Sequence, residues 1–167
     1  LLKKKRIINN IPGSYDVTIG GCISSNVHGK DSFKFGIFGN NVISLKILDY
    51  RGKILEISER NNKFKKYVGA YGVNGLILRA KIRISKIKYN TLSVNTFKFN
   101  TLKELLNLFE KEQATSYYMG AWIDHFSKDM RGIFKSSKWS KTNLKLKKIQ
   151  KEYNVTSKLI IAFLYPF

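Results

Sequence analysis

"GGCISSNVHGK", residues 20–30, is the stretch on which the reading of this chain turns. Two adjacent glycines open it, and a His-Gly-Lys closes it. Small residues fill most of the middle, with Asn26 just before the close. Glycine permits backbone angles and close approaches that a Cβ forbids. Successive backbone N–H groups in such turns form a concave nest that suits an anion such as a pyrophosphate. A dinucleotide is one candidate ligand. The run is not the G-x-G-x-x-G fingerprint, and no G-x-x-x-x-G-K-[ST] occurs in the chain. Taken alone, a glycine pair reads as a tight turn.

Composition bounds the alternatives. The chain has 167 residues, 43% of them hydrophobic and 13% aromatic, enough to fill a core. Its formal net charge is +20, with 31 Lys+Arg against 11 Asp+Glu. A charge of this size suggests a nucleic-acid-binding module. Here, however, most basic residues are lysines scattered through every segment. Lys, Ile and Asn are abundant together, as in the product of an AT-rich genome. "KIRISKIKY" interleaves apolar and basic residues but carries no recognisable binding motif, so no specific nucleic-acid partner is expected. With Cys22 the single cysteine, an internal disulfide is impossible. "LIIAFLYPF" is too short to span a membrane. "LLKKKRII" has its apolar and basic parts in the wrong order for a signal peptide. Both ends read as cut, and the chain is expected to be a piece of a longer protein.

Further along, Pro12-Gly13 marks a turn, and Val17 and Ile19 alternate around Thr18 as in a short strand. "NNVISLKILDYRGKILEIS" predicts a hairpin about the "DYRG" turn. A glycine-punctuated loop follows, then an alternating strand from Leu76 to Ile87. "TLSVNTFKF" is a further strand. "TLKELLNLFEKE" has helical spacing, with Leu102, Leu105, Leu106 and Phe109 on one face and a Thr101/Glu104 capping box. "TSYYMGAWIDHF" is strand-like again. The β-α-β pattern after a β-rich, glycine-rich segment suggests a second domain from about residue 88. "KTNLKLKKIQKEYN" reads as a solvated surface helix or loop.

The ordered series "PGSYDVTIGGCISSNVHGK", "GIFGNNVISLKILDYRGKI" and "YVGAYGVNGLILRAKI" resembles the flavin domain of PCMH-type (vanillyl-alcohol-oxidase-type) FAD enzymes. They share a P-G, a T-x-G-G, an H-G and a G-x-x-G-x-x-G-[IL]-[IL] pattern in this order. Within that family the series is most similar to the decaprenylphosphoryl-β-D-ribose oxidase group, and sugar-lactone oxidases are more distant. The resemblance is strong over residues 10–87 and weak over 88–140. It implies an α+β fold. Residues 1–87 would be the C-terminal part of a PCMH-type FAD-binding domain, and 88–167 the start of an α+β substrate, or cap, domain.

By the same resemblance, FAD contacts fall on Gly13, Thr18, Ile19, Gly20, Gly21, Ser25, Asn26, Val27, His28 and Ile77. FAD is held non-covalently, and no metal is expected. The backbone around Ile77 would pair with the polar edge of the flavin ring. His28, Lys30 and Trp122 are candidates for lining the substrate site. Each has a plainer reading: a loop histidine, one more surface lysine, a core aromatic on a strand. His125 reads as structural. The implied activity is oxidation of an alcohol carbon of a sugar-type substrate with hydride transfer to flavin, with an aldonolactone oxidase as the alternative. The implied partner is a small-molecule or lipid-linked sugar, in the cytoplasm, with peripheral membrane contact at the inner face. The chain departs from the family pattern at "DSF" after His-Gly-Lys, where Asn and His are usual. It departs again at Ala70 and Tyr71. The first FAD-binding segment and the main catalytic residues, among them a cysteine and a lysine near the flavin, are expected outside the chain.

Overall fold

The computed structural model describes residues 1–14 and 16–141. The basic stretch from residue 142 and the apolar run at 157–167 lie outside the described residues. The first strand, β1 (Arg6–Ile7), leads to a helix, α1 (Ile19–Ser24), where the alternation predicts the end of a strand. Thr18 makes the difference. Its backbone is extended, and its Oγ1 accepts a 3.0 Å hydrogen bond from the Gly21 amide. This N-cap turns the chain into a helix, and Val17 and Ile19 stay exposed rather than alternating into a core. At the other end of α1, Asn26 adopts a left-handed φ of 45°. The Asn26 amide bonds to the Ile23 carbonyl, and the Val27 amide to the Cys22 carbonyl, both at 3.1 Å. That is a Schellman ending with asparagine in the usual glycine place. A one-turn helix, α2 (Ser32–Phe35), follows the His-Gly-Lys.

The hairpin forms as predicted. β2 (Val42–Leu48) pairs antiparallel with β3 (Ile54–Ser58). Asp49 shapes the turn, since its Oδ1 accepts from the Arg51 and Lys53 amides at 2.9 and 2.8 Å. β4 (Leu76–Ile82) pairs with the other side of β2, giving the order β3-β2-β4. The predicted strand from Leu76 to Ile87 ends early, at Ile82, and is not regular. Lys46 faces Arg79 while Ile47 faces Ile77, so Leu78 is an extra residue. The irregularity brings Ile77, Ala80 and Ile82 against one core, which strict alternation could not do. That core contains Cys22, Ile23, Phe38, Val42, Leu45 and Ile47. β5 (Ser85–Lys86) then pairs with β1.

β6 (Thr91–Phe99) matches the predicted strand. α3 (Leu102–Glu112) starts at the predicted box. Thr101 Oγ1 accepts from the Glu104 amide at 3.2 Å, but the Glu104 carboxylate reaches back to the Asn100 amide, one residue earlier than expected. The buried face also differs. Leu105 is buried, with Leu108 and Phe109 beside it, whereas Leu102 and Leu106 are exposed. β7 (Tyr118–Ile123) and β8 (Gly132–Ser140) complete an antiparallel sheet of order β6-β8-β7. One face of it packs on α3 through Phe99, Met119 and Phe134, with Phe109 edge-on to Phe134 at 4.8 Å between centroids. Burying a side chain such as Leu105 is worth about 2 kcal/mol. The architecture is mixed α and β with antiparallel sheets, compatible with an α+β class. Among the described residues no helix is long and apolar enough to cross a membrane.

Candidate functional site

Gly20 sits in the first turn of α1, yet a Cβ there would meet no heavy atom of the described residues within 4 Å, and the same holds for Gly13. Neither residue has a positive φ. Glycine inside a helix costs about 1 kcal/mol against alanine. The described residues therefore give no internal reason for glycine at 20. Gly29 and Gly75 contrast with it: a Cβ would lie 2.6 Å from Asp31 Oδ1 and from the Leu48 carbonyl oxygen, respectively. Gly21 is intermediate, with the capping Thr18 Oγ1 at 3.1 Å. Open space over the backbone at Gly13 and Gly20 is what a cofactor laid against the chain requires. These residues fit FAD. Thr18, Ile19, Gly21 and Ser25 are likewise exposed.

The loop that follows Val68 docks on the end of α1. The Gly69 amide bonds to the Ile23 carbonyl and the Tyr71 amide to the Ser24 carbonyl, at 3.0 and 2.9 Å. Asn26 holds this junction from below. Its Oδ1 accepts from the Gly39 amide at 2.8 Å, and its Cβ would be 3.2 Å from a Cβ on Gly69. Val27 adds a 2.9 Å bond from the Phe38 amide to its carbonyl. The segment 68–75 then leads into β4, where Ile77 is half-buried. Among the described residues β4 is an edge strand of its sheet, with its outer row of backbone groups unpaired by them.

Beyond α1 the chain crosses to the second sheet. His28 is exposed. The Lys30 carbonyl accepts a 2.9 Å bond from the Met119 amide, so the loop runs alongside β7. Asp31 is fully buried, and both its carboxylate oxygens accept from the Asn10 amide, at 3.1 and 3.0 Å. Burial raises its carboxyl above the ordinary 3.8, and the Asn10 amide partly offsets this. Asn9 extends the network. It donates to Ser85 Oγ at 3.0 Å and accepts from the Tyr117 hydroxyl at 2.9 Å. The Tyr117 phenol is pushed up to about 12, chiefly by burial and then by the Asp31 charge. The Tyr118 phenol is raised by the same two causes in the same order. Both hydroxyls stay protonated at neutral pH.

The face of β6-β8-β7 turned away from α3 forms an open cleft of about 660 Å³. Leu92, Val94, Trp122 and Ile133 supply its apolar wall, and Lys30 reaches into it from the His-Gly-Lys loop. Trp122 is 57% exposed, so the reading as a core aromatic does not hold. Lys30 and Trp122, 92 positions apart in the chain, share this cleft, whereas His28 does not line it. His125 lies just past the end of β7, exposed. Sequence reading missed Lys135, Tyr118 and Gly120 in the cleft, and Asp31 beneath it. Period-two counting from Trp122 would have found Tyr118 and Gly120 on the same strand face. Nothing in the sequence distinguishes Lys135 from the other lysines. Among the described residues, no group of three metal-ligating side chains occurs.

A family model described as "FAD binding domain" matches residues 1–58. Decaprenylphosphoryl-beta-D-ribose oxidase of Mycolicibacterium smegmatis is 30% identical over 122 residues, 71% of this chain and 26% of that protein. An uncharacterized protein in the mprA 5' region of Streptomyces coelicolor is 24% identical over 76 residues, 46% of this chain and 21% of that protein. The chain thus spans about a quarter of the length of the curated relatives it matches. Residues 1–58 thus match an FAD-binding domain, and together with the similarity over 122 residues this supports a PCMH-type FAD-binding flavoprotein.

Proposed function

We propose that the protein carrying this chain is an FAD-dependent oxidoreductase that oxidises an alcohol carbon of a sugar-type substrate to a ketone. The observation that carries the reading is the shared cleft. Lys30, from the loop that closes the glycine-rich segment, reaches the exposed face that holds Trp122. Oxidation removes a hydride from the carbon and a proton from its hydroxyl. FAD, when bound, supplies the hydride acceptor. In this reading the backbone at Gly13, Gly20 and Gly21 lies against the non-covalently held cofactor. Thr18, Ile19, Ser25, Asn26, Val27 and His28 flank it, and Ile77 meets the ring's polar edge. Trp122 forms a wall against which a sugar ring packs, and Lys30 donates to a substrate oxygen. The acceptor of the hydroxyl proton comes from residues outside the chain. Residues 1–87 serve the cofactor, and the region from 88 onward serves the substrate.

The leading substrate is a pentose on a polyprenyl phosphate, drawn from the printed name of the relative and from the apolar cleft wall. Such a substrate puts the protein in the cytoplasm, in peripheral contact with the membrane's inner face. The test is anaerobic titration of the flavin-loaded protein with a polyprenylphosphoryl pentose. Bleaching of the flavin absorbance with formation of the keto sugar is expected. A flavin that stays oxidised with that substrate, and bleaches with an aldonolactone instead, contradicts the reading.

A further inference from the structure

Gly120 of β7 lies between two lysines. Its cross-strand partner is Lys135 of β8, and the Lys30 stem passes over it, with Cδ 3.9 Å from where a Cβ would stand. With no side chain at 120, the Lys30 stem passes beside Lys135's strand partner, and both lysines line the cleft. No carboxylate lines that cleft among the described residues. Asp31, next in sequence to Lys30, is turned inward onto the Asn10 amide. Ser137 and Tyr118, register partners on the same face, add two hydroxyl donors. Beyond them stand the exposed side chains of Leu92, Val94, Trp122 and Ile133.

We propose that Lys135, together with Lys30, forms a two-cation clamp for the phosphate of an amphiphilic substrate, whose chain runs along Leu92, Val94 and Ile133 while Trp122 keeps the sugar. The clamp deepens the proposed function and rests on its assignment of this cleft to the substrate. Two ammonium groups in one cleft with no carboxylate among its described lining repel each other, and a bound anion relieves that repulsion. A phosphate with several acceptor oxygens takes donors from both lysines and from the hydroxyls. The adjoining apolar wall distinguishes a phosphate on an apolar chain from free phosphate.

The test is calorimetric titration of the flavin-loaded protein with farnesyl phosphate, farnesol and inorganic phosphate. Farnesyl phosphate should bind at least about tenfold more tightly than either of the others, since a charge-assisted contact and apolar burial act together. Lys135→Met should weaken farnesyl phosphate about tenfold and leave farnesol unchanged, while Lys135→Arg keeps most of the affinity. Lys46→Met, on the exposed side of β2, controls for overall charge and should change nothing. The clamp is overturned if Lys135→Met binds farnesyl phosphate like the parent, or if Lys46→Met weakens it equally. It is also overturned if farnesyl phosphate binds no better than farnesol or inorganic phosphate. Flavin bleaching by the sugar substrate is read separately. Bleaching with an unaffected Lys135→Met rejects the clamp alone, and absent bleaching with an intact clamp rejects the oxidation alone.

Discussion

The main-chain carbonyl of Lys30 accepts a 2.9 Å hydrogen bond from the amide of Met119. Through this bond the end of the glycine-rich segment is built onto the edge of the second sheet. The backbone from which the Lys30 side chain enters the cleft is therefore tied to β7. Below it, Asp31 anchors the loop to Asn10, and Asn9 carries the network on to Ser85 and Tyr117.

Asp31 makes the stability of this junction depend on pH. Its folded carboxyl is raised above the ordinary 3.8 by burial. A raised carboxyl binds more protons folded than unfolded, so its contribution to stability falls as pH rises from 3.8 through the raised value. Asp31→Asn keeps one acceptor for the Asn10 amide and removes the buried charge. Its urea midpoint, measured against the parent, should improve as pH rises from 3.8 and level off once the folded Asp31 carboxyl is ionised. Asp31→Ala leaves the Asn10 amide unsatisfied and should cost about 1–3 kcal/mol. A constant offset between Asp31→Asn and the parent across that range would show that the carboxyl does not titrate between the two states.

Gly20→Ala separates folding from cofactor binding. Alanine at this open helical position should stabilise the protein by up to about 1 kcal/mol. The added methyl group stands where the cofactor is expected, so FAD retention should fall at least tenfold, on the order of 1.4 kcal/mol or more. Thermal unfolding of the apoprotein and a flavin titration measure the two effects. Raised stability with unchanged FAD affinity would mean that Gly20 faces only solvent.

The sheet-forming segments are legible because their signals are local. The 42–58 hairpin and β6 follow from alternation and from the Asp49 turn. What escapes reading depends on single hydrogen bonds or distant partners. Thr18 looks like the middle of a strand until its hydroxyl caps Gly21. The extra residue at Leu78 is invisible because Ile77 and Ala80 share a face only once β2 is beside them. Leu102 and Leu106 fit the helical stripe, but the sheet lies on the side of Leu105 and Phe109. In the site, Lys30 and Trp122 carry a motif signal. Lys135 has none, since its meaning comes from being opposite Gly120.

Asn26 supports the site through its backbone and its amide at once. Asn26→Gly keeps the left-handed conformation but loses the bond from the Gly39 amide. Asn26→Ala loses both. Chemical denaturation should rank the parent above Asn26→Gly and Asn26→Gly above Asn26→Ala, with a total cost of about 2–3 kcal/mol. Equal costs for the two variants would show that the φ of 45° carries no strain for alanine.

Gly120→Val closes the space that the Lys30 stem crosses. Valine suits a strand, so stability should be held or slightly improved, by a few tenths of a kcal/mol or more. Substrate KM should rise several-fold while the flavin spectrum stays unchanged. A KM equal to the parent's would remove Lys30 from the substrate's surroundings.

The central claim is that this chain belongs to a protein that holds FAD non-covalently against its glycine-rich backbone. The most direct measurement is the visible spectrum of the purified protein that carries it, followed by chromatography of what denaturation releases. The account predicts a yellow protein that gives up about one equivalent of intact FAD, leaving the polypeptide colourless. A folded, colourless protein that takes up no added FAD contradicts it, and so does a flavin that stays attached to the denatured chain.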